Sequence, residues 1–184
     1  MSDAPKIRVS KLSAARRQLD CAIELWFLDG DAVSIHTLAA AAHQIIHDIN
    51  KKKGGPPLIF DSVVIRDEHR AEFIARLKKD MIFFKHANLD PDGITEFVPL
   101  GSILFMFMAT VGLQHLGETL NDVEITFHMW LTIHYPQWIS DAYIKLFKQQ
   151  VPPNVLADIG SVDKKEFLKG CLNAYAAIRA RRFD

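Results

Sequence analysis

Three histidines that could do chemistry, His36, His43 and His47, lie seven and four residues apart within one predicted helix. At about 100° per residue, their side chains project within about 20° of one direction. The apolar residues of the same segment are centred about 130° away on the helical wheel. We therefore expect the histidine row to lie off the main core face, toward solvent, a cleft or a second subunit, and we take it as the candidate binding face.

The same row could bind a divalent metal ion. His43 and His47 are one helical turn apart, as are the two zinc ligands of a His-Glu-x-x-His helix. Gln44 follows His43 where that motif has its general base. His36 lies about 16 Å from His47 along the helix axis, too far to share one ion. A further ligand would have to come from elsewhere, and the candidates are Glu68, His69 and Glu72.

The run His-Asp-Ile-Asn-Lys that begins at His47 resembles the His-Asp-Ile-Gly-Lys signature of HD-type metal phosphohydrolases. That family is all-α, and its adjacent His-Asp pair ligates metal. The resemblance implies a metal-dependent hydrolase in which His43, His47 and Asp48 hold the ion. Two features depart from the family pattern, because Asn50 replaces the glycine and no histidine precedes His36 to supply an upstream ligand.

A second resemblance covers the first two predicted helices. These segments look like the first helical hairpin of HEPN-type bundles, many of which bind or cleave RNA. The resemblance implies an all-α bundle that starts with two antiparallel helices and has RNA as a partner. It is carried by Leu19-Asp20-x-Ala22-Ile23, the turn Asp29-Gly30-Asp31, and the helix through Ala39 to Ala42 that ends at Gly54.

In HEPN-type ribonucleases, the catalytic histidine follows the catalytic arginine after about four to six residues. The arginine positions phosphate, and the histidine assists proton transfer. Arg66 and His69 are too close for this pattern, and Arg76 and His86 are too distant. Lys85 and His86 remain as the candidate RNA or anion contact. The same pair is also favourable as the basic end of a helix.

The loop Asn88-x-Asp90-x-Asp92-Gly93 imitates the first half of a calcium-binding EF-hand loop. The last ligand of that loop is a bidentate glutamate, and Pro99 stands at this position. Asp-Pro-Asp-Gly is independently a good turn sequence. We therefore expect a turn here and no calcium site.

The residues above belong to a globular chain. Of the 184 residues, 49% are hydrophobic and 24% are charged, and the net charge is zero. This composition excludes a disordered or collagenous chain. The length fits one domain over residues 1–184, with residues 1–10 flexible. Helical periodicity and the absence of alternating patterns predict an all-α, single-domain helical bundle of about six to seven helices. The predicted helices cover 11–28, 32–52, 66–87, the core of 97–117, 121–135, 137–149 and 163–183.

The stretch from Phe97 to Gly117 carries no charged residue. It approaches the roughly 20 residues of a membrane span only by including proline, glycine and polar residues, and no Lys/Arg cluster flanks it. We expect a helix buried at the centre of a bundle, and no membrane partner. The polar N-terminal segment predicts no signal peptide. Cys21 and Cys171 are expected to be small buried hydrophobes, which favours a cytoplasmic protein without disulfides.

These patterns favour a cytoplasmic, non-catalytic binding or regulatory protein without a cofactor. We expect a homodimer formed through the histidine row or through aromatic residues of the fifth and sixth helices. If these aromatic residues are not dimer contacts, we expect them to be core residues. The alternatives are a HEPN-like RNA-binding protein or ribonuclease, and an HD-like hydrolase with a divalent metal. The aromatic residues concerned are Phe127, Trp130, Tyr135, Trp138, Tyr143 and Phe147.

Overall fold

The all-α prediction is confirmed by a computed structural model, which describes residues 4–63, 65–88, 90–151 and 153–181. This part of the chain contains eight α-helices and no β-strand. The predicted helix end at Phe183 lies outside the described residues. The helices are α1 (Lys11–Phe27), α2 (Ala32–Lys52), α3 (Asp67–Phe83), α4 (Leu100–His115), α5 (Asp122–His134), α6 (Asp141–Gln150), α7 (Pro153–Gly160) and α8 (Lys164–Ala180).

Helix α7 is the element that the sequence did not predict. It is only eight residues long and begins at Pro153, directly after another proline. Proline is tolerated at the first helical position, because the amide hydrogen that it lacks has no partner there. The proline pair therefore marks the start of a short helix as well as the end of the preceding one.

The helices are distributed over two compact units, each built around its own buried residues. Unit 1 consists of the chain up to Ala22 together with Asp31–Thr119. Unit 2 consists of Ile23–Gly30 together with Leu120–Asp184. Helix α1 is therefore divided between the two units after Ala22.

The core of unit 1 forms where α2 packs against α4, its most extensive helix partner. The sequence predicts α1 as the antiparallel partner of α2, but in the described part of the chain α1 does not make extensive contact with α2. The alanines at 39, 40 and 42 are completely buried. Gly112 lets α4 approach closely, because a Cβ atom there would lie 2.5 Å from the Cγ2 of Ile46 and 2.9 Å from the Cδ1 of Leu58. Small residues on both helices thus permit a short interaxial distance.

The uncharged helix α4 is largely a core helix, as predicted. Its buried apolar residues include Ile103, Phe105, Met106, Ala109 and Leu113. Among the described residues, no helix has the length and apolar character needed to cross a membrane.

The core of unit 2 is an aromatic cluster between α5, α8 and the 23–30 segment. Phe27 and Phe127 are fully buried, and Trp130 is nearly so. The ring of Trp130 lies edge-on to Phe27 at 5.9 Å and to Phe167 at 5.1 Å. The predicted core role of Phe127 and Trp130 is confirmed.

The turn after α1 is fixed to the start of α8 within unit 2. Asp29 adopts a left-handed conformation with φ 54°, which an aspartate tolerates better than most residues. Its carboxylate pairs with the Lys164 ammonium at 2.5 Å, and the same ammonium donates to the carbonyl of Trp26 at 3.0 Å. Lys164 thereby closes the turn that delivers Phe27 into the aromatic cluster.

The expectation that both cysteines are buried is wrong for Cys21, which is exposed, while Cys171 is half-buried; both are free thiols. The core face of α1 is formed by Ala15, Leu19, Ala22 and Ile23. At about 100° per residue, Cys21 lies on the opposite side of the helix.

Candidate functional site

The histidine row lies inside unit 1 rather than on a free face, which corrects the expectation for the candidate binding face. The exposed fractions of His36, His43 and His47 are 2%, 0% and 6%. The helical wheel predicts one buried face for α2, the one that carries its apolar residues. In the structure the histidine side is covered as well, because aromatic residues from other segments of the unit pack over it, chiefly Phe60 and Phe105.

His36 sits in a ring of phenylalanines near the end of α3 and the start of α4. Its Nδ1 atom is 3.1 Å from the Ser102 hydroxyl, which gives it one hydrogen-bond partner. The rings of Phe97, Phe105 and Phe84 meet it edge-on at 4.9, 5.5 and 5.7 Å. Burial lowers the pKa of His36, and the nearby Asp80 carboxylate opposes that shift. His36 is therefore a neutral core histidine at pH 7.

His43 is the most enclosed of the three. Its ring lies 4.7 Å from that of Phe60 and 5.3 Å from that of Phe105. Both ring nitrogens are buried and have no hydrogen-bond partner among the described residues. Burial is the main reason that the pKa of His43 falls to about 3, with smaller contributions from His47 and Lys78. The ring is neutral at pH 7.

His47 faces a carboxylate without bonding to it. Its Nδ1 atom is 3.7 Å from Oδ1 of Asp61, beyond hydrogen-bond distance. The Asp61 oxygen instead accepts from the backbone N–H of Leu58 at 2.7 Å. Burial lowers the pKa of His47, while Asp61 and Asp48 partly oppose the shift.

The structure does not bring His43, His47 and Asp48 together as metal ligands. Asp48 is exposed, and its carboxylate accepts a hydrogen bond from the Gln44 amide at 2.9 Å. Adjacent residues on a helix point about 100° apart, so a buried His47 leaves Asp48 outside. The proposed further ligands Glu68, His69 and Glu72 are exposed on α3. In the described part of the chain, no group of three or more His, Cys, Asp or Glu residues is placed to hold a metal ion.

The calcium-like loop is a turn, as expected. The backbone N–H of Gly93 donates to the carbonyl of Asp90 at 2.9 Å. A Cβ atom at Gly93 would lie 2.5 Å from a carboxylate oxygen of Asp90, so the tight turn favours glycine at this position. Asp90 and Asp92 are exposed.

The candidate anion contact lies directly after α3. Lys85 and His86 are both exposed in the turn that follows the helix. Their backbone amides donate to the carbonyl of Ile82, which fixes the turn. Exposure leaves them accessible to an anion, and their position also suits the negative end of the helix dipole.

A cavity of about 330 Å³ borders α1 in unit 1, and it is lined mainly by polar and charged side chains. Arg16 at its wall already binds within the unit. Its guanidinium lies 3.5 Å from the Glu118 carboxylate and donates to the carbonyl of Thr119. These contacts tie α1 to the segment after α4.

An apolar groove of about 310 Å³ lies in unit 2 between α5, α7 and α8. Glu166 is the one charged side chain on its wall among the described residues. The groove is not evident from the sequence, because it depends on how three helices meet. One signal was present, since Gly170 interrupts an otherwise strong helical pattern. The other lining residues are Met129, Ile159, Val162, Phe167, Gly170, Cys171, Ala174 and Tyr175.

The thiol and the phenol in the groove wall are neutral. Burial raises the pKa of the Cys171 thiol and of the Tyr175 phenol. The Tyr175 hydroxyl is 3.2 Å from the sulfur of Met129 and donates to it. The groove therefore offers apolar surface and a protonated thiol, and not a reactive thiolate.

Comparisons with known proteins identify no relative. No protein-family model, no curated protein and no solved structure matches the chain.

Proposed function

We propose that this protein is a non-catalytic binding protein that acts through the groove between α5, α7 and α8. The observation that carries the proposal is an open apolar cavity of about 310 Å³ on unit 2. Cavities of roughly 300–1,000 Å³ with mainly apolar walls are the usual size and character of binding sites.

The chemistry of the groove supports binding rather than covalent catalysis. A thiolate is the nucleophilic form of cysteine, and burial disfavours it at Cys171. Tyr175 is likewise held in its neutral form. Apart from Glu166, the rest of the wall is apolar, so the groove best fits an apolar surface of its partner.

The burial of the histidine row also supports a non-catalytic role. His43 lies between phenylalanine rings and is fully buried. A general base must reach its substrate within hydrogen-bond distance, and a fully covered imidazole does not. We assign His36, His43 and His47 to the core of unit 1.

The neutral dye Nile red tests the groove, because its fluorescence rises in an apolar site. We expect saturable binding to the wild-type chain and loss of most of the signal in Gly170→Leu. No atom lies within 4 Å of a Cβ atom placed at Gly170, so the new side chain can enter the open space without a clash. Lys169→Leu is the matched control, since it adds the same side chain one residue away and outside the groove.

Nile red fluorescence that is equal in the Gly170→Leu and wild-type chains would contradict the proposal. Circular dichroism of both variants checks that α8 remains helical. Because leucine is a better helix former than glycine, loss of the dye signal is not expected to reflect unfolding.

A further inference from the structure

The groove continues onto an exposed side of α8 where the chain itself gives no reason for a glycine. Gly170 lies in the middle of the helix, where glycine is less favourable than alanine. Its backbone conformation is helical, and a Cβ atom there would meet nothing within 4 Å. A missing side chain at such a position is useful when another backbone approaches from outside the chain.

Two opposite charges flank this exposed side of α8. Glu166 lies in the first turn and Arg181 at the C-terminal cap, and both are exposed. They are about 22 Å apart along the axis and project within about 60° of each other. On the helical wheel of α8, Gly170 and Ala177 lie between Glu166 and Arg181. The acidic residue, the open glycine and the basic residue therefore share one side of the helix.

The charges on this side of α8 are complementary to those of a second α8 helix that runs in the opposite direction. In an antiparallel pair of α8 helices, Glu166 of each copy meets Arg181 of the other, which gives two identical ion pairs related by a two-fold axis. A parallel pair would place like charges side by side at both ends, which is unfavourable. The charge pattern therefore selects one orientation of a second copy.

We propose that the occupant of the groove is α8 of a second copy of this chain, packed antiparallel about a two-fold axis near Asn173 and Ala174. This inference rests on the proposed function and names its partner. One helix pair gives an interface at the small end of the range, so the dimer is weak and depends on concentration. We expect a dissociation constant on the order of 10 µM or higher.

Charge reversal tests the pairing by sedimentation velocity over chain concentrations from about 0.5 to about 200 µM. Glu166→Arg and Arg181→Glu each replace two attractive pairs with two repulsive ones, so each should weaken the dimer about tenfold. An equal mixture of the two variants should restore it, because a mixed pair places the two arginines of one chain against the two glutamates of the other. Lys145→Glu on α6 is the control and should leave the dimer unchanged, because Lys145 is exposed and lies outside the groove wall, whereas Lys169 is unsuitable since its ammonium lies 3.5 Å from the Glu166 carboxylate.

The orientation is tested by disulfide trapping in a Cys21→Ser, Cys171→Ser chain. Cysteines introduced by Ala174→Cys lie near the two-fold axis, offset by about 1.5 Å along the helices, and should cross-link on mild oxidation. Cysteines introduced by Lys169→Cys in two copies are about 13 Å apart along the helices and should not. Equal cross-linking of both variants would overturn the antiparallel arrangement.

A wild-type chain that stays monomeric at about 200 µM would overturn the second copy as the occupant. So would a mixture of the charge variants that sediments like either variant alone. If Nile red still binds the wild-type groove and is lost in Gly170→Leu, the proposed function stands while the partner assignment fails. If Gly170→Leu leaves dye binding unchanged, the proposed function itself fails.

Discussion

At the scale of single residues, His43 combines complete burial with two ring nitrogens that lack partners among the described residues. A buried polar group without a hydrogen bond destabilises the fold by about 1–3 kcal/mol. His36 differs from it, since its Nδ1 atom is bonded to Ser102. The two positions therefore form a matched pair in one helix.

We predict that His43→Leu raises the free energy of unfolding by about 1 kcal/mol at pH 7, because it removes polar atoms that have no partner and nearly conserves volume. His36→Leu should lower that free energy, since it leaves the buried Ser102 hydroxyl without its histidine partner. Urea unfolding of both variants measures the difference. A His43→Leu chain less stable than His36→Leu would show that the His43 nitrogens have an essential partner.

Stability should also fall as the pH falls below about 6.5, the pKa of a histidine in the unfolded chain. The folded-state pKa is about 3 for His43 and about 4 for His128, so both rings stay neutral in the fold while the unfolded chain takes up protons. Each should lower the free energy of unfolding by about 1.5 kcal/mol between about pH 6.5 and pH 5.

Thermal unfolding of the wild-type and His43→Leu chains across this pH range measures that loss. The His43→Leu chain should have the flatter profile, because it lacks one of the titrating groups. Parallel profiles for the two chains would contradict a depressed pKa at position 43.

The spacing of the histidines could be predicted from the sequence, but their surroundings could not. Helical periodicity places His36, His43 and His47 on one side of α2. Whether that side is free depends on Phe60 and Phe105, which are distant in sequence and are brought there by tertiary packing. The prediction of a free histidine side fails for a physical reason. A helix can be covered on several faces, whereas the helical wheel shows only which face is most apolar.

At the scale of elements, two helical glycines have opposite roles. A Cβ atom at Gly112 of α4 would lie 2.5 Å from Ile46 of α2. A Cβ atom at Gly170 of α8 would meet nothing within 4 Å. Gly112 permits close packing of α2 and α4 within unit 1, whereas Gly170 borders open space on unit 2.

We predict that Gly112→Ala lowers the free energy of unfolding by about 1–2 kcal/mol, because overpacking outweighs the gain in helix propensity. Gly170→Ala should raise it by up to about 1 kcal/mol in the dilute chain. Chemical denaturation of both variants provides the comparison. Equal effects of the two substitutions would contradict the packing assigned to α2 and α4.

Element boundaries were largely predictable where a cap is encoded. The side chains of Asp31, Asn121 and Asp163 accept from backbone amides at the starts of α2, α5 and α8. These residue types favour the helix N-cap for this reason. The packing of α2 on α4 was not predictable in the same way, because it is set by non-local shape at Gly112 and the alanines of α2.

At the scale of the whole molecule, the sequence predicts one domain, and the structure contains two compact units. All three tryptophans of the chain, Trp26, Trp130 and Trp138, lie in unit 2. Their fluorescence therefore reports the unfolding of that unit, whereas a substitution at Gly112 acts on unit 1.

If the chain is one cooperative domain, Gly112→Ala should lower the midpoint of the tryptophan-monitored transition as much as that of the helical signal in circular dichroism. Coincident transitions by two probes are the standard criterion of two-state unfolding. A tryptophan midpoint that does not move with Gly112→Ala would show that the units unfold independently.

The central claim for the molecule is that a second copy binds in the groove between α5, α7 and α8, and that the histidine row is not an interaction surface. Met129 lines the groove, whereas Met106 is a buried residue of α4 in unit 1. The most direct measurement is the methyl spectrum of methionine-labelled protein at chain concentrations from about 20 to about 500 µM. We predict that the Met129 resonance shifts with concentration while Met106 stays fixed. A stationary Met129 signal, or a shift of Met106 alone, would contradict self-association through the groove.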